Sequence, residues 1–342
     1  MPAADKTKGL NRTGERTMKR RLLVASALAL GLAFGGSARA DQISIAFVVH
    51  SSASNTFWQA VKKGFEDACG KIQANCQMVF TQTEGSIDQQ AANMSAAIAH
   101  KPDALIVSLV DNHAFVDALT QAQKQGIPVI ASNVDALEGP ELKLRQAFIG
   151  QGLFKAGHSL GEAMSANFPK EGPINALIGV SAPGQNWSEQ RAAGIQKFLE
   201  EYKAANPGRE VNIKRMDSGT DLGVVADRVG AYLNANPTTT VYFDTGFWAA
   251  GVARVLKDRG VPPGKVLLGV FDLVPEVLQQ MKAGYIQVAI DQQPFMQGFL
   301  PVMQVYMLKT AGLAPFDVDT GQGVVLPKDV DSIMGWSKKY LR

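Results

Sequence analysis

Cysteine is almost missing from this chain: Cys69 and Cys76 are the only two among 342 residues. That excludes a cysteine-built zinc or iron–sulfur centre and a disulfide framework. A single Cys69–Cys76 bridge, or two unpaired buried thiols, are the readings left, and spacing alone does not choose between them. Histidine is as sparse. His50, His100, His113 and His158 are scattered, and none stands at the spacing of zinc ligands. The apolar run Leu22–Phe34 is 13 residues long, short of the roughly 20 that span a bilayer. A Gly-x-Ser-x-Gly elbow and a phosphate loop are both missing. Gly150-Gln151-Gly152 fails as a dinucleotide fingerprint because position 155 is Lys. No Pro/Gly/Ser-rich linker and no low-complexity tract divides the sequence.

What the beginning of the chain does contain is an export pattern. Met18-Lys19-Arg20-Arg21 is basic, the short apolar run follows, and Ala38-Arg39-Ala40 is a small-x-small cleavage signal. The expectation is a cleaved signal over residues 1–40, with cleavage after Ala40 and a periplasmic product. A retained anchor helix is the competing reading, and translation starts at Met1 or Met18. No Cys adjoins the cleavage point, so lipid attachment is not expected. Cleavage removes eight Lys/Arg and two Asp/Glu, turning the net charge of +3 into −3 and leaving 302 residues. A mildly acidic exported protein is a poor partner for nucleic acid or anionic lipid. Outside the cytoplasm, nucleotide-dependent chemistry loses its substrates.

Beyond Asp41, short β-branched runs alternate with helical stretches. Ile43–Val49, Met78–Thr81, Ala104–Val110 and Val129–Ala131 read as strands, with helices at Thr56–Cys69, Ile87–His100 and Ala114–Gln125. The second half repeats the rhythm. Strands are expected at Ile174–Gly179, Val211–Met216, Thr240–Asp244, Val266–Val270 and Gln287–Ile290. Helices are expected at Leu153–Phe168, Glu189–Tyr202, Leu222–Asn234, Ala249–Arg259 and Pro275–Ala283. This is an α/β chain with doubly wound parallel sheets. Eleven or so strands are too many for one compact sheet, so two lobes are expected.

Ligands of such sheets bind beyond the carboxyl ends of the strands. The tips carry Asn55, Phe57 and Trp58; Ser108; Asn133; Trp187 and Arg191; Asp244, Thr245 and Trp248; Asp272; and Gln292. Carboxylates, amides, one Arg and aromatics suit an uncharged, hydroxyl-rich ligand. Planar polar groups pair with vicinal hydroxyls, and aromatic rings cover the C–H face.

Several of these pieces carry a family likeness: Asn55-x-Phe57-Trp58, Gly126-Ile127-Pro128-Val129-Ile130-x-x-Asn133, Glu189-Gln190-Arg191-x-x-Gly194, Gly269-Val270-Phe271-Asp272 and Ile290-Asp291-Gln292. In this order, over nearly all of residues 41–325, the chain resembles the ribose/galactose-type periplasmic sugar-binding proteins of ABC importers. The resemblance implies the type I periplasmic-binding-protein fold, two doubly wound lobes joined by a three-crossing hinge. It places the crossings near Gly150, Gln292 and Gln322, with lobes at 41–150 plus 293–322 and 151–292 plus 323–342. It implies ligand roles for Asn55, Phe57, Trp58, Asn133, Arg191, Asp272 and Gln292. Ser108 and Thr245 stand where the ribose binders use Asn, and Asn133-Val134 replaces their Asp-Arg. That departure argues against ribose itself and leaves another aldose, or a polyol such as an inositol.

Each residue also has a plainer reading. Phe57 and Trp58 can staple their helix to the core. Arg191, in the first turn of the expected helix, opposes the helix dipole, and its alternative role is a surface salt bridge. Asp272 can cap the following helix, Asn133 can serve a turn and Gln292 the hinge. Asp244, Trp187 and Trp248 can pack or cap, and His50 reads as structural or rim. The expected function is a monomeric, cofactor-free receptor, not an enzyme, that delivers a monosaccharide or cyclitol to an ABC transporter permease in the inner membrane. The alternatives are an exported receptor that presents a sugar or a small signal molecule to a chemoreceptor or sensor, and an exported glycoside-processing enzyme using Asp244 and Asp272. A transcription regulator would need a DNA-binding segment where the export signal stands.

Overall fold

Strand β1 (Ser44–Ser52) shows why this sequence makes a parallel sheet. Its centre, Ile45 to Ser51, is buried without interruption, as in a strand covered on both faces. The computed structural model describes residues 42–342; the expected export signal and its cleavage point at Ala40 lie outside the described residues. Helix α1 (Thr56–Ile72) follows, started by Asn55, whose side chain accepts from the Phe57 amide. The alternation continues through β2 (Asn75–Thr81), α2 (Ile87–Ala99), β3 (Ala104–Val107), α3 (Val116–Lys124), β4 (Val129–Asn133), the single turn α4 (Glu141–Leu144) and β5 (Ala147–Gly150). A second series comprises α5 (Leu153–Ser165), β6 (Ile174–Val180), α6 (Asn186–Ala205), β7 (Val211–Asp217), α7 (Leu222–Ala235), β8 (Val241–Asp244), α8 (Ala249–Asp258), β9 (Leu267–Phe271), α9 (Pro275–Lys282) and β10 (Val288–Asp291). The chain ends with α10 (Pro294–Ala311), β11 (Val318–Asp319), β12 (Gly323–Val325) and α11 (Val330–Ser337).

These strands form two six-stranded sheets, ordered β11-β5-β4-β3-β1-β2 and β12-β10-β9-β8-β6-β7. Every pairing is parallel except β10 with β12. The edge strands β2 and β7 are mostly half-buried or exposed, because only one of their faces is covered. The chain passes from one sheet to the other between Gly150 and Ile174, between Asp291 and Val318, and between Asp319 and Gly323. Cys69 of α1 and Cys76 of β2 are disulfide-bonded, their Cα atoms 6.3 Å apart. Among the described residues no helix is long and apolar enough to cross a membrane.

Two expectations need correction. Helix α6 begins at Asn186, not Glu189, so Arg191 lies in the second turn, beyond the reach of the N-terminal dipole. Helix α9 is preceded by Val274 with no side-chain cap, so Asp272 does not cap it.

Candidate functional site

The carboxyl ends of the two sheets face one small, partly open cavity. From the first sheet come His50, Asn55, Phe57, Trp58, Glu84, Asn133 and Val134. From the second come Leu153, Trp187, Arg191, Gly246, Phe247, Trp248 and Asp272, and Gln292 stands at the crossing after β10. Eight of the eleven residues chosen as ligand contacts from the sequence are thus brought together.

Arg191 is 3% exposed and Asp272 7%. The guanidinium donates from Nη1 to the Thr245 carbonyl at 2.9 Å and from Nη2 to Gln151 Oε1 at 3.1 Å. It lies over the Phe271 ring, 4.0 Å from the centroid, a contact worth about 2 kcal/mol when desolvated. Its Nε has no hydrogen-bond partner among the described residues. Burial lowers its pKa to about 10 against the opposing pull of Asp272 and Asp244, so it stays charged at neutral pH. Burial likewise raises the Asp272 carboxyl, with Arg191 and Gln292 opposing. The backbone of Arg191 is held by a close helix contact. A Cβ on Gly157 of α5 would sit 2.1 Å from the Arg191 carbonyl oxygen, and one on Gly194 would sit 2.0 Å from that of Phe154.

Asn133 ends β4 and Asp272 follows β9, each third in its sheet, and the two share a left-handed backbone, with φ of 70° and 69°. Asn and Asp tolerate that region better than other non-glycine residues. Around Asn133 the Val134 amide donates to the Ser132 carbonyl at 2.9 Å, closing a γ-turn. Asn133 Nδ2 donates to Gln297 Oε1 at 2.9 Å and to Gln292 Oε1 at 3.3 Å. Gln292 Nε2 in turn donates to Asp272 Oδ1 at 2.5 Å.

Aromatic walls come from both sheets. Phe57 and Trp58 meet edge to face at 5.5 Å on one side. On the other, Phe247 stacks on Trp248 at 4.5 Å, and Trp248 lies 6.0 Å from Trp187. The rim is joined by hydrogen bonds from one side to the other. Gln185 Nε2 donates to the Gly85 carbonyl at 2.9 Å, the Asn186 amide to Val110 at 2.8 Å, and Asn186 Nδ2 to Asn112 Oδ1 at 3.0 Å.

Ser108, Asp244 and Thr245 do not line the cavity. Their side chains turn back into the sheets and hold other residues. Ser108 Oγ receives the His50 amide at 3.1 Å. Thr245 Oγ1 accepts from the Ser181 amide at 2.9 Å, while its carbonyl anchors Arg191. Asp244 accepts from Ser181 Oγ, the Tyr242 hydroxyl and the Gly246 amide. Burial raises its carboxyl to about 6 in spite of those donors. The acid pair considered for glycoside hydrolysis is therefore not presented to one guest.

Asn55 does line the cavity, although both ends of its amide are engaged, by the Phe57 amide and by Glu84 Oε1. Sequence reasoning missed Glu84, Phe247, Val134 and Leu153, and set His50 aside. Glu84 was findable, because it follows β2 as the other site residues follow their strands. It accepts from Ser51 Oγ at 2.8 Å, the Ser52 amide at 2.8 Å and Asn55 at 2.9 Å. Among the described residues no group of three or more His, Cys, Asp or Glu could hold a metal ion.

This fold and this inter-sheet cleft define a class of receptors. The profile of the periplasmic binding protein domain matches residues 45–312, and the chain belongs to that family. It is 27% identical over 300 residues to the xylose/arabinose-binding protein XylF of Sulfolobus acidocaldarius, covering 84% of this chain and 71% of that protein. It is 23% identical over 282 residues to the ribose import binding protein RbsB of Escherichia coli, covering 81% and 88%. Among solved structures it is similar to an ABC transporter solute-binding protein from Burkholderia graminis in complex with D-arabinose. There the TM-score is 0.73 at 26% identity, over 85% of this chain and 97% of that one. A carbohydrate transporter from Acidothermus cellulolyticus in complex with myo-inositol matches in fold, with a TM-score of 0.74 at 24% identity over 88% and 100%.

Proposed function

We propose that the chain is an exported receptor that closes on a neutral monosaccharide or cyclitol and presents the closed form to the permease of an ABC importer. The moving bodies are residues 41–150 with 293–322 and residues 151–292 with 323–342. One observation carries the reading. Arg191 and Asp272 stand buried in the lining of one cavity, oppositely charged and with no direct ion pair between them among the described residues, and Phe57 and Trp58 of the other sheet line the same cavity. A hydroxyl that accepts from Arg191 and donates to Asp272 satisfies both, and the rings cover the apolar face of the same guest. Each charge-assisted bond contributes about 1.5–3 kcal/mol. A Kd near 1 μM requires only about −8 kcal/mol in total.

The named relatives argue in the same direction, since the names of two specify pentoses. Replacement of the ribose binders' Asp-Arg by Asn133-Val134 removes two charged contacts and points away from ribose. The test is a thermal-shift screen against pentoses, hexoses, deoxy sugars and inositols. A guest at a hundredfold excess over its Kd adds about 2.7 kcal/mol, or roughly 5 °C in a chain of this size. A flat response across the whole panel would overturn the reading.

A further inference from the structure

Ser108 does not touch the cavity, but it decides what His50 can do there. Its Oγ receives the His50 amide at 3.1 Å and Gln90 Nε2 at 3.2 Å, and it stands 2.9 Å from His50 Nδ1. The Gln90 amide cannot be turned over, because its nitrogen lies 2.6 Å from the Ser108 carbonyl oxygen, where only a donor fits. A hydroxyl has two accepting lone pairs and one proton. Both lone pairs of Ser108 are taken, so its proton goes to His50 Nδ1. An imidazole that accepts at Nδ1 carries its own hydrogen on Nε2. Among the described residues that nitrogen makes no hydrogen bond, and His50 lines the cavity. The ring is held by Trp58, edge to face at 5.3 Å, and by Trp187 from the opposite sheet at 6.4 Å.

We propose that His50 is a specificity-determining hydrogen-bond donor of the cleft, held by Ser108 with its proton on Nε2, so that the ligand atom it meets is an accepting oxygen. The assignment rests on the receptor reading above and deepens it. Burial, and secondarily the charge of Arg191, lower the His50 pKa to about 3, so a second proton does not join the ring near neutral pH. His50 and Arg191 give hydrogens and Asp272 takes them. A ring oxygen, which can only accept, suits the His50 position. A hydroxyl there must turn its proton elsewhere.

The test uses the exported protein labelled with ¹⁵N and ¹³C, with imidazole resonances assigned by His50→Gln. The expected spectrum shows neutral His50 protonated at Nε2 from pH 5 to 8, and loss of that single tautomer in Ser108→Ala. An Nδ1-protonated or charged His50 in the wild type would overturn the proposal. A second arm titrates D-xylose, L-arabinose, D-arabinose, D-allose, D-ribose and myo-inositol calorimetrically and follows the tightest binder. His50→Phe should weaken it at least about tenfold, and His50→Gln, which keeps an N–H, should recover part of the loss. Undiminished affinity in His50→Phe would refute the donor role while leaving sugar binding intact. If neither these six compounds nor any other member of the wider panel binds the wild type, the receptor reading fails, and the resonance arm still decides the tautomer.

Discussion

Gln292 donates to Asp272 across 2.5 Å, and that bond fastens a crossing between the sheets to the charged end of the cavity. The same amide accepts from Asn133 with its oxygen, so one side chain reads the strand ends of both sheets. Replacing it by Leu leaves the buried Asp272 Oδ1 without its Gln292 donor, at about 1–3 kcal/mol, and leaves Asn133 Nδ2 with Gln297 alone. Gln292→Leu should weaken the apparent affinity for the screened sugar by about tenfold or more. Calorimetry of the variant checks this, and unchanged affinity would separate the crossing from the site.

The charged pair gives the most direct prediction. Arg191→Ala and Asp272→Ala should each abolish the ligand-dependent thermal shift while circular dichroism remains that of the folded chain. Full binding in both would place the pocket elsewhere.

The contact beneath Arg191 allows a test remote from the guest. Gly157→Ala brings a Cβ to within 2.1 Å of the Arg191 carbonyl, so α5 and α6 must move apart. Overpacking of this kind costs about 1–3 kcal/mol. Denaturant titration should show that loss, together with weaker binding as Arg191 shifts; a variant as stable as wild type would mean the helices yield freely.

Glu141 supplies a pH dependence. Its Oε1 accepts the Phe115 amide at 2.6 Å, Oε2 has no partner among the described residues, and burial raises its pKa to about 7 from 4.5. A carboxyl with a raised folded-state pKa adds stability below its unfolded value and loses it as the pH rises through the folded value. Relative to Glu141→Gln, the wild type should therefore gain roughly 2–4 kcal/mol between pH 8 and pH 4.5. Parallel pH profiles for the two proteins would contradict the sign.

Much of this architecture was legible because buried parallel strands leave apolar runs and the helices between them leave a periodic stripe. What escaped had no such signature. β5, β11 and β12 are 4, 2 and 3 residues long. α10 is apolar around most of its circumference and contains Pro301, so it shows neither a polar face nor an uninterrupted helical pattern. In the site, residue type and strand-tip position found Arg191 and Asp272, yet they could not say which way a side chain turns. Ser108 and Thr245 occupy the right tips and face inward, where they hold His50 and Arg191. From the sequence His50 reads as structural or rim, since a lone histidine offers no spacing that marks a site. Its part becomes visible only through Ser108 and Gln90, distant in sequence and adjacent in space.

Trp58, Trp187 and Trp248 all border the cavity, and the fourth tryptophan, Trp336, is 52% exposed on the C-terminal helix. The molecule thus carries a built-in optical probe. Intrinsic emission reports chiefly on the chamber between the sheets, with one solvent-quenchable indole outside it, so occupancy can be followed in real time without attaching a dye.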